Sequence, residues 1–330
     1  PPTPPFEGHR HAWVFASPLL RPTMVAISTF SDPLVLALRE FAPVVPHMET
    51  HLEAALHQAV GEPGKLVRAR LALEAGLSNG LDDGEAMQLA CAIEYFHTAS
   101  LLLDDLPCMD DAATRRGLPC VHRQHGQATA ILAALALINR AYTLAGFAFV
   151  AQPPAVRVQA IACLDACLGP AGLVGGQAAD LRYGETPGGA RSVAKIAAAK
   201  TGALFWSAVF LPALASQPTD AERRELKRLC VYWGLAFQGL DDLADVIKSH
   251  AEAGKSTGRD RALARPNLAL VLGVRGARAR VDRLACLAGA AADRLAESDA
   301  RWSYLRRFHA EYFTTMHRRT RAASEALIAA

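Results

Sequence analysis

The feature that most limits the fold of this chain is a helical pattern that runs from Ser31 almost to the end. Stretches rich in Ala and Leu place apolar residues three and four positions apart, and short Gly, Pro or Asn clusters separate these stretches. No alternating run of Val, Ile and Thr, which would indicate a strand, interrupts them. The pattern predicts an all-α protein, a single helical bundle of about ten helices.

The ends of the predicted helices carry recognisable start signals. An acid or hydroxyl residue precedes the first helical turn in Ser31-Asp32-Pro33 and in Thr219-Asp220-Ala221-Glu222. Residues 1–30 lack a periodic pattern and begin PPTPPFEG. We therefore expect a flexible or non-native segment at 1–30 and one helical domain over 31–330.

Composition excludes some classes of partner. The net charge is +3 and the basic residues are spread along the chain, so we expect no binding to nucleic acid. The longest apolar run, Ala128–Ile138, is too short to span a bilayer and is followed by Asn139 and Arg140, so we expect no stable membrane insertion. The seven cysteines lie mostly in apolar segments, which predicts reduced thiols and a cytoplasmic protein.

An acidic cluster follows the apolar part of one predicted helix, in the stretch LLLDDLPCMDDAATRRG from Leu101 to Gly117. A buried carboxylate without a partner costs more free energy than folding supplies, so these acids need cations. Two following arginines neutralise them only in part, which leaves acids for a hard divalent ion such as Mg²⁺. The alternative is a solvated acidic turn. The residues concerned are Asp104, Asp105, Asp110, Asp111, Arg115 and Arg116.

A proline divides this first cluster. In an unbroken helix, Asp104 and Asp110 would point about 120° apart, because each residue turns the helix by about 100°. Pro107 cannot donate to the carbonyl of Leu103 and clashes with it, so the helix should bend or end there. The sequence thus predicts that Asp110 returns towards Asp104.

A second acidic cluster, FQGLDDLADV, lies within a predicted helix and contains Asp241, Asp242 and Asp245. Residues four positions apart differ by about 40° around a helix, so Asp241 and Asp245 share a face and are able to bind the same ion. Two such clusters on separate helices indicate a cavity with metal ions at its mouth. A di-iron bundle would instead require Glu-x-x-His pairs, and none stands near either cluster.

Basic residues indicate the anion that such a site binds. Each one alone is more often a surface charge than a ligand. Together with the acids they suggest a site for two diphosphates, one bound through metal ions and one by direct contact with cations. These residues are Lys65, Arg68, His97, Arg115, Arg116, Lys200 and Lys255.

The motifs resemble those of the trans-isoprenyl diphosphate synthases, and most of all the bacterial geranylgeranyl diphosphate synthases of the carotenoid type. The resemblance runs from about Gly64 to about Asn267 in family order and spacing. It implies an isoprenoid-synthase bundle with a central apolar cavity, usually a homodimer, with three Mg²⁺ ions, and isopentenyl diphosphate and an allylic diphosphate as substrates. The matching segments are GKLVR, HTASLLLDDLPCMDDAATRRG, HRQHGQATAILAALAL, GGQAADL, KTGALF, FQGLDDLADV and GKSTGRD.

The resemblance also implies roles for single residues. The predicted Mg²⁺ ligands are Asp104, Asp105, Asp110 and Asp241, supported by Asp111, Asp242 and Asp245. The predicted contacts of the allylic diphosphate are Arg115, Lys200 and Lys255, and those of isopentenyl diphosphate are Lys65, Arg68, His97 and Arg116. The residues expected beside the carbocation are Thr201, Phe237 and Gln238. One departure is Arg265, which stands where relatives commonly have lysine.

Two residues before the first cluster bear on product length. Ala99 and Phe96 precede Asp104 by five and eight positions on the helix along which the growing chain should run. Three residues of helix rise about 4.5 Å, roughly one isoprene unit. A small Ala99 should let the chain pass, and Phe96 should stop it near twenty carbons, which predicts geranylgeranyl diphosphate, with farnesyl diphosphate as the alternative.

Two other functions share this fold. A terpene cyclase ionises the same kind of substrate but needs no isopentenyl pocket, and the set Lys65, Arg68 and His97 speaks against it. A non-catalytic regulatory subunit is the second, since some relatives use Cys-x-x-x-Cys to bind a partner, and Cys163-Leu-Asp-Ala-Cys167 has this form. Such subunits normally lose an acidic motif, and this chain has both.

Overall fold

The structure is a computed structural model that describes residues 32–61, 63–247 and 259–313. Within these ranges the regular secondary structure is helical apart from one short antiparallel hairpin, which confirms the predicted all-α class. The hairpin pairs β1 (Thr114–Arg115) with β2 (Leu118–Pro119). The predicted segment 1–30 and Lys255 lie outside the described residues.

The first half of the bundle is built from eight helices. They are α1 (Pro33–Glu40), α2 (Thr50–Gly61), α3 (Val67–Ser78), α4 (Asp83–Asp104), α5 (Val121–His125), α6 (Gln127–Ala148), α7 (Pro154–Leu168) and α8 (Leu173–Leu181).

The second half contains the remaining described helices and two π-helical turns. They are α9 (Ala190–Ala197), a π-helical segment (Ala198–Gly202), α10 (Ala203–Ala213), α11 (Asp220–Ile247), α12 (Arg259–Ala262), α13 (Leu268–Ser298), α14 (Ser303–Phe308) and a second π-helical segment (His309–Phe313). Short 3₁₀ turns lie at Tyr183–Glu185, Leu214–Ser216 and Ala300–Trp302.

The predicted helix starts are confirmed. Asp32 caps α1 by accepting from the Leu34 amide at 3.1 Å, and Pro33 takes the first helical position, where its missing N–H costs nothing. Before α11, the Thr219 amide donates to Glu222 at 2.7 Å, and the Glu222 amide donates back to the Thr219 hydroxyl at 3.3 Å. This reciprocal capping satisfies amides that the helix leaves without partners.

Two helices form the centre of the packing. Helix α4 lies against α3 and α6, and α11 lies against α10 and α13. The largest fully buried side chains include Trp233 of α11 and Tyr95 of α4, whose hydroxyl donates to the Leu38 carbonyl at 2.6 Å. Both acidic clusters therefore stand on helices that the core holds on several sides.

The apolar helices are longer than the sequence suggested. By length and composition alone, three helical stretches could cross a membrane: Gln127–Ala148, Pro154–Leu181 and Ala190–Ser216. The prediction that the run at Ala128–Ile138 is too short was wrong, because α6 continues through Asn139 and Arg140 to Ala148. The most apolar part of Ala190–Ser216 is 72% buried inside the fold, compared with 39% for Gln127–Ala148 and 33% for Pro154–Leu181.

Candidate active site

The main cavity has a volume of about 240 Å³ and lies between the ends of α4, α8 and α11 and the segment around Lys200. Acidic and basic side chains, which together we call the charged mouth, line it beside the apolar side chains of Leu101, Leu204 and Phe237. The acids are Asp104, Asp110, Asp180, Asp241, Asp245 and Asp260. The cations are Arg68, Arg115, Lys200 and Arg265.

The first acidic cluster is shaped by the break before Pro107. Helix α4 ends at Asp104, and the chain then turns back so that the Asp110 amide donates to the Asp104 carbonyl at 2.9 Å. Both side chains line the cavity, which confirms that the break returns Asp110 to Asp104. Burial raises the pKa of Asp104 to about 6, although the nearby Lys200 ammonium opposes this shift.

The other two acids of this cluster point elsewhere. Asp105 is 3% exposed, and its oxygens accept from Arg115 Nε at 2.7 and 2.9 Å and from Arg115 Nη2 at 2.6 Å. Asp111 has a left-handed backbone (φ 45°) and pairs with Arg123 at 2.6 Å on the surface. Asp105 and Asp111 therefore do not line the main cavity, and each is held by an ion pair with an arginine instead. Their metal-binding roles stay predictions.

The second cluster follows the helical period. Asp241 and Asp245 both line the cavity, as predicted from their spacing of four. Asp242 is 1% exposed and does not line the cavity; it accepts from Gln238 Nε2 at 2.8 Å and from the Leu268 amide at 2.7 Å. Burial raises the pKa of Asp242 to about 8. The hydrogen bond from Leu268 joins α11 to the start of α13, and the predicted support of metal ions by Asp242 stays a prediction.

A chain of ion pairs connects the acids across the mouth of the cavity. Lys200 Nζ lies 3.6 Å from Asp104 and 3.5 Å from Asp180. Arg265 lies 3.0 Å from Asp110 and 3.7 Å from Asp180. Asp180 thus holds both cations, and each cation also pairs with one acid of the first cluster.

Sequence reasoning missed Asp180 and Asp260 and noted Arg265 only as a departure. Asp180 stands in the quoted motif GGQAADL and Asp260 in GKSTGRD. The signal was a single acid in each motif, and a single acid is ordinarily a solvated surface residue. Only the packing of α8 and α12 against the cavity distinguishes these two from other acids.

Close backbone contacts hold Lys200 in place. A Cβ on Gly176 of α8 would lie 2.5 Å from the Lys200 backbone nitrogen, so only glycine permits this approach. The Thr201 hydroxyl donates to Gln238 Oε1 at 2.8 Å, and Gln238 in turn donates to Asp242. The π-helical segment is thereby joined to α8 on one side and to α11 on the other.

Two of the residues predicted for isopentenyl diphosphate meet at the main cavity. Arg68 Nη1 lies 3.4 Å from His97 Nε2, and the guanidinium lies 5.0 and 5.2 Å from the ring centres of Phe205 and Phe237. Burial, together with the nearby Arg68, lowers the pKa of His97 well below its usual value, so the ring is neutral. Among the described residues, Arg68 Nε and His97 Nδ1 are buried without a hydrogen-bond partner.

The remaining residues of that set lie apart. Lys65 is exposed and does not line the main cavity. Arg116 packs over Gly64, where a Cβ would lie 2.8 Å from its guanidinium nitrogen, and it lines a separate small pocket beside Asp105. The structure therefore brings together Arg68 and His97 but leaves Lys65 and Arg116 outside the main cavity.

The residues predicted to set product length do not line the main cavity as it stands. On α4, Ala99 is fully buried, and Phe96 packs edge to face on Tyr142 of α6 with ring centres 4.9 Å apart. Helical geometry explains this, because Ala99 points about 140° away from Asp104. Phe96 faces the contact between α4 and α6, so the predicted role of these two residues requires space to open beside α4.

The acids at the cavity fit Mg²⁺ by their chemistry. Mg²⁺ in proteins is usually bound by one or two carboxylates together with substrate phosphates. In the described part of the chain, no three Asp, Glu, His or Cys side chains form a group able to hold a metal ion by themselves. Lys200 and Arg265 pair with acids of the first cluster. The residues therefore suit ions shared with a diphosphate better than a closed protein cage.

Comparisons with known proteins identify the family of this chain. The family model described as polyprenyl synthetase matches residues 49–299. The chain is 38% identical over 212 residues to a geranylgeranyl diphosphate synthase of Pantoea ananas, covering 62% of this chain and 70% of that protein. It is 35% identical over 239 residues to geranylgeranyl pyrophosphate synthase 9, chloroplastic, of Arabidopsis thaliana, covering 71% of this chain and 66% of that protein.

Solved structures give the same result for the fold. An FPP/GFPP synthase from Zymomonas mobilis superposes with a TM-score of 0.71 at 30% identity, covering 84% of this chain and 94% of that one. A geranyltransferase from Helicobacter pylori, complexed with magnesium and isoprenyl diphosphate, superposes with a TM-score of 0.69 at 26% identity, covering 92% of this chain and 100% of that one. The chain belongs to the polyprenyl synthetase family and is a prenyltransferase.

Proposed function

We propose that this protein condenses isopentenyl diphosphate with an allylic diphosphate, head to tail, and that its main product is geranylgeranyl diphosphate. The observation that carries the proposal is the cavity mouth, where acids from α4 and α11 face one space and Lys200 and Arg265 lie among them. Such a mouth suits a polyanion bound through both cations and shared metal ions. The relatives named as geranylgeranyl diphosphate synthases support the twenty-carbon product.

The cations bind and stabilise the leaving diphosphate. Ionisation of an allylic diphosphate places negative charge on the departing oxygens, and fixed cations at that point lower the barrier. Lys200 is held by Asp104 and Asp180, and Arg265 by Asp110 and Asp180, so both are oriented before substrate arrives. In the structure, the carboxylates of Asp104, Asp110 and Asp180 pair with these cations as phosphate oxygens would.

The carboxylates would hold the metal ions. We propose three Mg²⁺ ions, held by Asp104, Asp110, Asp241 and Asp245 together with the diphosphate. Bound there, Mg²⁺ would neutralise the charge of the diphosphate and assist its departure. The structure of the Helicobacter pylori geranyltransferase, complexed with magnesium, supports the identity of the metal.

The apolar lining of the cavity protects the allylic cation. Leu101, Leu204 and Phe237 exclude water, which would otherwise capture the cation. Arg68 and the neutral His97 are placed to bind the second diphosphate, each with a buried nitrogen that has no partner among the described residues. The isopentenyl double bond is thereby held for attack. The released diphosphate accepts the proton, so no side-chain base is required.

A product assay tests the proposal. Purified protein is incubated with isopentenyl diphosphate, an allylic diphosphate and Mg²⁺, and the hydrolysed products are separated by chromatography. A twenty-carbon alcohol supports the proposal, and a fifteen-carbon product as the end point indicates a farnesyl diphosphate synthase. A cyclic hydrocarbon indicates a cyclase, and no turnover indicates a regulatory subunit. Cys163 and Cys167 are 8% and 2% exposed, which disfavours their use as a partner-binding surface.

Variants on α4 test the basis of product length. Ala99→Phe should close the space between α4 and α6 and give mainly fifteen-carbon product, and Phe96→Ala should lengthen the product. Ala99→Ser is the matched control, because it adds a single oxygen and should keep twenty carbons. Unchanged product lengths in both test variants would show that Ala99 and Phe96 do not limit the growing chain.

We also propose that the protein is a homodimer. Helices α6 and α7 follow one another in the chain, and both expose large apolar side chains. A soluble monomer rarely leaves so much apolar surface uncovered. Examples are Leu132 at 54%, Leu135 at 55%, Phe147 at 51%, Val158 at 66% and Ile161 at 69% exposed. Leu135→Glu should shift the sedimentation coefficient from dimer to monomer. Cosedimentation of the wild type with lipid vesicles would instead show that a membrane covers this face.

The cellular compartment is a separate proposal. All seven cysteines are free thiols, and five of them are buried. Thiols persist in reducing compartments, so we propose a cytoplasmic protein. Fractionation of the producing cells, with immunodetection of the native protein, tests this placement.

A further inference from the structure

A second cavity, of about 120 Å³, lies behind the main one. The segment Ala198–Gly202 separates them: Lys200 and Thr201 line the main cavity, whereas Ala199 and Gly202 line the second. The other wall of the second cavity comes from the end of α7 and from α11. Only the backbone of this segment therefore separates the end of α7 from Lys200, which is proposed to bind the leaving diphosphate.

Two neighbouring thiols of α7 lie beside this cavity, and a third, the buried Cys230 of α11, lines it. Cys163 Sγ and Cys167 Sγ are 4.0 Å apart on α7, and Cys167 lines the cavity. Lys227 of α11 lines it as well, with its ammonium 4.6 Å from the ring centre of Trp206. This cation–π contact keeps a positive charge at the cavity beside the thiols.

The cavity offers a route from solvent. Ala166, Ala171 and Lys227 are exposed residues of its lining, whereas Cys167 is 2% exposed at its inner side. A space of this size is several times what one water molecule needs. Hydrogen peroxide is only slightly larger than water, so it fits this cavity.

The surroundings favour Cys167 as the reacting thiol. The hydrogen bond from Cys163 lowers the pKa of Cys167, burial opposes this, and the Lys227 charge lowers it further. The same hydrogen bond raises the pKa of Cys163, with burial adding to the effect. The thiolate is the nucleophilic form, so Cys167 reacts first and Cys163 second.

We propose that Cys163 and Cys167 form a dithiol that hydrogen peroxide oxidises to a disulfide, and that the disulfide form has a lower rate of prenyl transfer. The second part rests on the function proposed above. The first part is a property of the thiols alone.

The chemistry balances with peroxide as the only oxidant. The Cys167 thiolate attacks one oxygen of hydrogen peroxide, the O–O bond breaks, and the products are a sulfenic acid and hydroxide, which takes a proton to form water. Cys163 then attacks the Cys167 sulfur and expels hydroxide, which takes the Cys163 proton to form a second water. Two thiols lose two electrons, and one peroxide gains them.

The helix must deform to accept the bond. Cβ atoms four positions apart in a helix are separated by roughly 5–6 Å, whereas a disulfide needs about 3.5–4.5 Å. The bond would span the last turn of α7, which ends at Leu168 before Gly169. The chain continues into α8, where Gly176 contacts the Lys200 backbone and Asp180 pairs with the Lys200 ammonium. Oxidation is therefore expected to displace Lys200.

The experiment measures bond formation and activity separately. The purified protein is treated with hydrogen peroxide, and the tryptic peptide 158–182 is weighed, since it contains Cys163 and Cys167 and no other cysteine. The expected result is a peptide lighter by two hydrogen atoms, together with a fall in kcat of about tenfold, because small displacements of a catalytic group have large effects on rate. Dithiothreitol should reverse both.

Controls make each outcome decisive. Cys163→Ala should keep its activity in peroxide, whereas Cys286→Ser, which removes an exposed thiol of α13, should respond as the wild type does. Circular dichroism of Cys163→Ala checks that it folds. A peptide that stays in the thiol form while Cys286 is oxidised would overturn the proposal. Disulfide formation at unchanged kcat would overturn its second part. Reduced protein without turnover would contradict only the proposed function.

Discussion

The two acidic clusters reach the same cavity by different means. The first lies after a helix that ends at Asp104, and a turn of the backbone brings Asp110 back to it. The second lies within α11, whose unbroken period places Asp241 and Asp245 on one face. Each cluster also contains an acid that does not line the cavity and makes a structural contact instead. Asp105 pairs with Arg115, and Asp242 accepts from the first amide of α13.

The two clusters therefore depend on different structural features. The second cluster is fixed by helical geometry and by Leu240 and Leu243, which are buried in a small core with Leu268 and Val281. The first depends on a helix break and on partners from elsewhere in the chain. We therefore expect the first cluster to be more sensitive to changes in the backbone and the second to changes in packing.

The largest effect should follow loss of an acid at the cavity in the first cluster. Asp104→Asn removes one charge from the mouth, and kcat should fall by about a thousandfold, the upper range for loss of one electrostatic contact in an active site. Asp111→Asn is the matched control, because Asp111 lies on the surface with Arg123, and it should stay within about twofold of wild type. Steady-state kinetics at saturating Mg²⁺ measures both. Equal losses would show that the two acids act together.

In the second cluster, one substitution should affect activity and another should affect stability. Asp241→Asn should lower kcat by about a hundredfold and leave the melting temperature unchanged. Asp242→Ala should leave two buried donors without an acceptor, which costs about 1–3 kcal/mol each. Urea unfolding and kinetics of both variants test the division. A stable but inactive Asp242→Ala protein would show that Asp242 binds metal after all.

Restoring the helix should affect only the first cluster. Pro107→Ala removes the clash that favours the break, so Asp110 should lie at the cavity in a smaller fraction of molecules, and kcat/KM should fall by about tenfold. The control is Pro154→Ala, because Pro154 begins α7 and its loss should not move any acid at the cavity. A Pro107→Ala enzyme with wild-type kinetics would show that the turn is held by its own hydrogen bonds.

The smallest expected effect is a change of melting temperature when Mg²⁺ is added or removed. It should depend on acids from both clusters. Mg²⁺ with inorganic diphosphate should raise the melting temperature by a few degrees, since a ligand that binds only the folded state stabilises it by mass action. The chelator EDTA should abolish the increase. Asp104→Asn and Asp241→Asn should both reduce it, whereas Asp111→Asn should retain it. An increase that survives in both cavity variants would place the metal elsewhere.

Much of the site could be predicted because its signals are local. The caps at Asp32 and Thr219, the break at Pro107 and the shared face of Asp241 and Asp245 each depend on a few neighbouring residues. The positions of other predicted residues could not be read from the motifs. Asp105 is turned to Arg115 and Lys65 is exposed, so neither side chain lines the main cavity.

The sequence alone determined the all-α class, the two acidic clusters and the cations that point to diphosphates, since helical period, proline and charge act over short distances. Only the tertiary structure decided that Asp180 would hold Lys200 and Arg265 together, because these residues come from three separate segments. It also placed the thiols of α7 behind Lys200. Side-chain direction and long-range pairing depend on how helices pack, and packing is a property of the whole chain.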